Sequence, residues 1–200
     1  KKSEYRGIYI GDAIEILLLL YADDIVLVAD TALELKRKIS ILEKFTDKWG
    51  MIVNFDKTKI IVFRNGGKTA KGESFHYKNK TVDITTYYRY LGLIISSRGI
   101  WTKATETLAA QAMKAMTPLK RLIWKVVHFE PAVSFKLFDS RILPILCYGS
   151  ELWGFKYRKD IERVQIDYCK FILGVGKSTH SAAVLGECGR QPLYIIIKGL

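Results

Sequence analysis

Cysteine is scarce in this chain and poorly placed for chemistry. Cys147, Cys169 and Cys188 are the only three in 200 residues, odd in number and widely separated. That excludes a disulfide framework and a zinc ribbon, and implies a reducing compartment. His76, His128 and His180 are isolated from one another, so each reads as a surface or hydrogen-bonded histidine rather than a metal ligand. No secretory signal or basic presequence opens the chain, and the apolar run at residues 16–20 is far too short to span a bilayer, so no membrane association is expected. An initiator methionine is also lacking, which suggests a piece of something longer. There is no internal repeat and no low-complexity tract. Gly66, Gly67 and Gly72 lack the strand-loop-helix context of a phosphate cradle and read as loop flexibility.

Basic residues are missing where they would be most useful. No Lys or Arg lies between Arg6 and Lys36, yet this stretch holds two adjacent carboxylates in Tyr21-Ala22-Asp23-Asp24. The pair is clamped between the apolar runs at residues 14–20, broken only by Glu15, and 25–29. Such flanks predict two short buried strands with the acids at the turn of a hairpin. Like charges held this close repel, and a divalent cation with hard oxygen ligands, such as Mg²⁺, would absorb the repulsion. Asp-Asp is also ordinary turn chemistry. Against that reading, the turn brings no Gly, Asn or Ser with it.

What is abundant points to a folded, polyanion-binding protein. Hydrophobic content of 49% argues against disorder, and the formal net charge is +12. Lys and Arg against Asp and Glu number 11 and 10 over residues 1–66, 11 and 4 over 67–130, and 10 and 6 over 131–200. The basic excess therefore begins beyond the acidic pair. This arrangement suits a polyanion bound at one end and worked on at the other, although scattered solvated lysines would give part of the same total.

Patterning places these features on elements. Thr31-x-x-Glu34 is a capping box, and Leu35, Ile39, Leu42, Phe45 and Trp49 follow at helical spacing until Gly50. Residues 60–63 read as a strand, 65–72 as a flexible loop, 75–77 and 81–84 as a hairpin, and 90–95 as a strand. From about Thr102 the pattern turns helical. Pro118 should kink or split the first helix, Pro131 opens a second, Pro144 interrupts it, and Ile161, Val164, Tyr168, Phe171 and Ile172 form a third amphipathic face. Trp101, Trp124 and Trp153 read as core. Tyr87-Tyr88-Arg89-Tyr90 is either a strand edge or a base-stacking surface. The change from α/β to helical falls near residue 98.

The residues around the acidic pair resemble a known family. An apolar strand, Tyr21-Ala22-Asp23-Asp24 and a second apolar strand are similar to the palm-domain signature of reverse transcriptases. Residues 49–59, with Gly50, Asn54 and Lys57-Thr58, are similar to the next motif of the non-LTR retrotransposon (LINE-type) branch. Tyr90-Leu91-Gly92-Leu93-Ile94-Ile95 resembles its primer-grip hairpin. Glu187-Cys188-Gly189-Arg190-Gln191-Pro192-Leu193 resembles a Glu-x-Gly-x-x-Pro-Leu pattern beyond its thumb. The four patches occur in the family's order and cover nearly the whole chain.

The resemblance implies an α+β fold: a partial polymerase palm over residues 1–66, a primer-grip hairpin region over 67–98, a helical thumb over 99–156 and a helical extension over 157–200. It implies RNA-directed DNA polymerase chemistry on an RNA template, a DNA primer and deoxynucleoside triphosphates. Asp23 and Asp24 would hold catalytic Mg²⁺ (or Mn²⁺), and Tyr21 and Ala22 would line the floor near the primer terminus. Lys57 would meet the triphosphate or leaving pyrophosphate, its plainer reading being a solvated loop lysine. Tyr90, Leu91 and Gly92 would position the primer end, and Lys103, Lys114, Lys120, Arg121 and Lys125 would track the nucleic-acid backbone.

Two-metal transfer needs carboxylates from two strands. Asp30 lies roughly 20 Å of extended chain from Asp24, and Asp12 meets the same objection. In the family the missing Asp comes from an earlier strand, so the chain alone is expected to be inactive. Two alternatives stay open: a non-catalytic nucleic-acid-binding palm-thumb remnant, and a helical interaction module in which Tyr21-Ala22-Asp23-Asp24 is accidental. A helix rather than a hairpin at residues 21–24 would favour the last.

Overall fold

A computed structural model describes residues 8–10, 14–64, 73–125 and 130–199. The expected loop at residues 65–72, Asp12 and His128 lie outside these. Contacts divide the chain into two compact units, residues 1–88 and 89–200.

The first unit is built from short hairpins and one long helix. Strand β1 (Ile8–Ile10) pairs antiparallel with β2 (Ile14–Ile16), and β3 (Leu18–Tyr21) pairs antiparallel with β4 (Asp24–Leu27). The apolar run at residues 14–20 is thus two strands, broken by a bend at Leu17. Expected burial is not found there: Leu20 is 66% exposed and Tyr21 61%. A two-stranded ribbon has no second layer to cover its faces, and among the described residues no further strand joins β3 and β4.

Helix α1 (Ala32–Trp49) begins and ends where its caps dictate. Thr31 Oγ1 accepts from the Glu34 backbone N–H at 3.2 Å, and Gly50 closes the helix in the left-handed conformation at φ 62°. Glu34 completes the reciprocal contact one residue early, accepting from the Asp30 N–H at 3.4 Å. Lys38 is buried and anchors the helix to the strand end, its Nζ donating to the Val28 carbonyl at 2.6 Å and pairing with Glu34 at 2.8 Å.

Strands β5 (His76–Tyr77) and β6 (Lys80–Thr81) form the next hairpin. Its turn, Lys78-Asn79, has φ of 44° and 62°, the double-positive pattern of a tight two-residue turn. This hairpin docks on α1 through a buried hydrogen bond of 2.8 Å between the Tyr77 and Thr46 hydroxyls, and Lys78 donates its backbone N–H to Glu43 and pairs with Asp47. Ile39, Ile60, Phe75, Tyr77 and Val82 form the core. The expected strand at residues 60–63 is only a parallel bridge between Ile60 and Ile84. Phe45 and Trp49, which continue the apolar spacing of α1, are exposed. Thr46 occupies the core position beside Tyr77 instead, on the same arc of the helix as buried Ile39 and the flanking Leu35 and Leu42.

The division between units falls within β7 (Tyr87–Tyr90), which pairs with β8 (Leu93–Ser96) through the turn Leu91-Gly92. The second unit continues as helices α2 (Thr102–Lys125), α3 (Pro131–Arg141), α4 (Leu143–Leu146), α5 (Ser150–Trp153), α6 (Lys159–Leu173), α7 (Ser181–Glu187) and α8 (Leu193–Lys198). Pro118 does not split α2. A mid-helix proline costs roughly 3 kcal/mol, offset here by buried Leu108, Ala112, Met116 and Leu119 on either side of it. Pro131 and Pro144 sit in the first turns of α3 and α4, where no N–H is needed.

The core of this unit gathers α2 with Phe138, Ile142, Leu146, Trp153, Ile161, Val164, Tyr168, Leu193 and Ile197. Tyr168 stacks on Phe138 with ring centroids 4.8 Å apart and donates its hydroxyl to the Ser134 carbonyl at 2.8 Å. Trp153 is core and Trp101 is half-buried, but Trp124 is 81% exposed. Among the described residues no helix is long and apolar enough to cross a membrane.

The Glu187-to-Leu193 segment is a structural staple. Arg190 grips Asp139 through two hydrogen bonds of 2.8 and 2.5 Å, reaches Gln165 at 3.3 Å and lies over the rings of Phe135 and Phe138. The buried carboxylate of Glu162 accepts the backbone N–H groups of Leu193 and Tyr194 at 3.0 and 2.6 Å, satisfying the start of α8.

Candidate functional site

The acidic pair sits where the hairpin pattern demands. Tyr21 pairs with Asp24 across the ladder, so Ala22 and Asp23 form a two-residue turn and Asp24 opens β4. A helix at this position is excluded. Ala22 has φ 50° while Asp23 is not left-handed, the sign pattern of a type II′ turn, whose first corner is ordinarily glycine. Holding alanine there costs on the order of 1 kcal/mol. The turn projects Asp23 and Asp24 into solvent, and neither carboxylate has a hydrogen bond or ion pair to another described residue.

Two unpaired carboxylates are a fitting donor set for a hard divalent cation. Mg²⁺ typically takes one or two carboxylates and completes its shell with water and substrate phosphates. Among the described residues no group of three or more acids, histidines or cysteines gathers to form a fuller cage. Asp30 donates its backbone N–H to Glu34 at the start of α1.

Lys57 belongs to a braced turn. Asn54 Oδ1 accepts the Lys57 N–H at 3.2 Å, Thr58 donates both its N–H and hydroxyl to the Asn54 carbonyl at 3.1 and 2.8 Å, and the Tyr88 hydroxyl donates to the Lys57 carbonyl at 2.9 Å. The backbone at Lys57 is fixed on both sides while its side chain is exposed. The Gly, Asn and Lys-Thr pattern thus has local reasons: Gly50 terminates α1, and Asn54 with Thr58 shapes the turn that carries Lys57. Lys59 next door is paired with Asp83 at 2.7 Å.

The turn Leu91-Gly92 has φ of 46° and 85°, the double-positive pattern again. Leucine is a poor residue for this conformation, so its neighbours must hold it there. The Tyr148 hydroxyl donates to the Leu91 carbonyl at 2.5 Å, and a Cβ added at Gly92 would lie 3.5 Å from the Tyr148 ring. Sequence reasoning missed Tyr148, because nothing local links two residues 57 positions apart. Tyr90 is half-buried and Leu91 exposed.

The basic residues of α2 separate into two classes. At 3.6 residues per turn, Lys103, Lys114, Arg121 and Lys125 fall within an arc of about 40° along roughly 33 Å of helix, opposite its buried face. All four are exposed. Lys120 lies on a different face, its ammonium over the Phe171 ring at 4.8 Å, and burial holds its pKa below the usual lysine value, with Asp167 partly opposing the shift.

The chain is similar to known proteins in the terms that the motifs suggest. Residues 3–95 match the family of reverse transcriptases (RNA-dependent DNA polymerases). A putative uncharacterized transposon-derived protein of Caenorhabditis elegans is 27% identical over 150 residues, covering 75% of this chain. The chain spans about half (53%) of that relative's length. No solved structure matches it. The resemblance to a retrotransposon reverse transcriptase is borne out.

Proposed function

We propose that this chain is the metal-bearing hairpin, primer-grip and helical nucleic-acid-holding portion of an RNA-directed DNA polymerase from a non-LTR retrotransposon. The observation that carries the reading is the turn Ala22-Asp23, which presents two unpaired carboxylates on a two-stranded hairpin within a segment similar to reverse transcriptases. The first unit corresponds to later palm elements, and the helices from α2 onward to the thumb and its extension. The uncovered apolar faces of β3 and β4 suit a larger palm sheet.

In the proposed reaction the primer 3′-hydroxyl attacks the α-phosphorus of a deoxynucleoside triphosphate and pyrophosphate leaves. Asp23 and Asp24 would hold Mg²⁺, which when bound supplies charge neutralisation at the reacting phosphate. Tyr21 and Ala22 form the floor beneath the strand end. Lys57, on its braced turn, offers its ammonium to the departing phosphates. The Tyr90-Leu91-Gly92 turn holds the primer end, and the Lys103, Lys114, Arg121 and Lys125 rail of α2 takes backbone phosphates of the template–primer duplex. The described residues hold only two suitably placed carboxylates, so the isolated chain should bind nucleic acid and extend no primer.

Fluorescence anisotropy with an RNA–DNA duplex tests this reading. The chain should bind with little sequence preference, lose affinity steeply with salt and favour a recessed primer 3′ end over a blunt duplex. Equal affinity for both ends would refute a primer-handling role.

A further inference from the structure

Tyr148 lies between α4 and α5, far in sequence from the turn it touches, and both its ends are held. Its carbonyl accepts the indole N–H of buried Trp153 at 3.0 Å, and its hydroxyl donates to the Leu91 carbonyl at 2.5 Å. The ring lies against Gly92, where a Cβ would approach to 3.5 Å. The following residue, Gly149, is left-handed at φ 65°, and a Cβ there would meet Leu93 Cδ2 at 3.1 Å. Within the second unit, the α4–α5 junction therefore abuts the β7–β8 turn at two successive positions.

This turn needs outside support. Leu91 is a bulky residue at positive φ, a conformation it rarely adopts unless surroundings impose it. The Leu91 peptide carbonyl is fixed by a side chain from another element rather than by the hairpin alone. Tyr148 is itself 48% exposed, so it braces the turn without being part of the core.

We infer that Tyr148 is a positioning residue for the primer terminus, acting through the Leu91-Gly92 turn. Its hydroxyl selects the turn geometry that offers Tyr90, Leu91 and Gly92 to a recessed 3′ end, and Trp153 fixes the backbone from which the tyrosine reaches. The inference rests on the primer-handling role proposed above. It adds that the α4–α5 junction sets the shape of the grip, so that the surface holding the strand end depends on Tyr148.

The test uses the whole chain with a recessed-end RNA–DNA duplex and a blunt duplex of equal length. Tyr148→Phe removes one hydroxyl and keeps the ring. Its preference for the recessed end should fall about fivefold, the effect of losing one hydrogen bond, with blunt-duplex affinity unchanged and amide exchange at Gly92 and Leu93 accelerated. Tyr168→Phe removes a comparable hydroxyl bond in the core. It should lower the melting temperature and leave the end preference intact. A Tyr148→Phe preference within twofold of wild type, or an equal loss in Tyr168→Phe, overturns the positioning role. Absence of any end preference in the wild-type chain overturns the functional reading on which the inference rests, and the inference with it.

Discussion

Replacing Arg190 by alanine tests whether the Glu187-to-Leu193 segment holds the helical unit together. Its guanidinium makes two charge-assisted hydrogen bonds to Asp139, contacts Gln165 and covers two aromatic rings 5.4 and 5.6 Å from its centre. The Asp139 bond raises the Arg190 pKa further above its already high ordinary value, so the cation is permanent. The pair is neither fully buried nor superficial, with side-chain exposures of 14% for Arg190 and 42% for Asp139. Breaking a buried pair costs about 3–5 kcal/mol and an exposed one about 0–1. Once Arg190 is gone, Asp139 can rehydrate, and the loss should fall between these limits, at about 2–3 kcal/mol. Lysine keeps the charge without the fork and should recover less than half. Asp139→Asn leaves a mostly enclosed cation unpaired and should cost at least as much as Arg190→Ala. Urea unfolding followed by tryptophan fluorescence, to which buried Trp153 contributes, reads all three. A change below about 0.5 kcal/mol in Arg190→Ala would refute the staple.

Removing Lys114 and Arg121 together should reduce the salt slope of duplex binding by about two units, whereas Lys120→Ala, packed on Phe171, should leave it nearly unchanged; a salt titration compares them. Burial pushes both the Tyr168 hydroxyl and the Cys169 thiol up to about 12 from ordinary values of 10.0 and 9.0. A folded pKa raised above the unfolded one means stability is whole below the unfolded value and drains away as pH climbs to the folded one. Unfolding free energy should therefore be flat on this account up to about pH 9 and fall between about pH 9 and 12, by on the order of 1 kcal/mol per pH unit for each group. Tyr168→Phe should remove part of that slope in denaturant titrations against pH.

Local chemistry was legible in the sequence, and its coverage was not. The ends of α1 follow from Thr31, Glu34 and Gly50, and the acidic hairpin follows from its flanking apolar runs, because caps and alternation act within a few residues. The exposure of Phe45 and Trp49 was not legible, because apolar spacing marks a face without saying what packs on it. Trp124 was misread for the same reason. The continuity of α2 through Pro118 depends on burial from α4 and α6, which no local signal reports. At the site, Asp23, Asp24 and Lys57 could be named from motifs, but the Asn54 and Tyr88 bracing of Lys57 and the Tyr148 brace on Leu91 arise from long-range contacts.

The central claim is that the turn Ala22-Asp23 exists to hold a divalent cation. Mn²⁺ titrated into the isotope-labelled chain broadens nuclear resonances most strongly nearest to where it binds. Broadening should begin at the amides of residues 21–25, compete with Mg²⁺ and disappear in Asp23→Asn, with duplex affinity at fixed salt largely retained. Resonances of residues 21–25 that remain sharp at saturating Mn²⁺, or broadening that persists in Asp23→Asn, would contradict it.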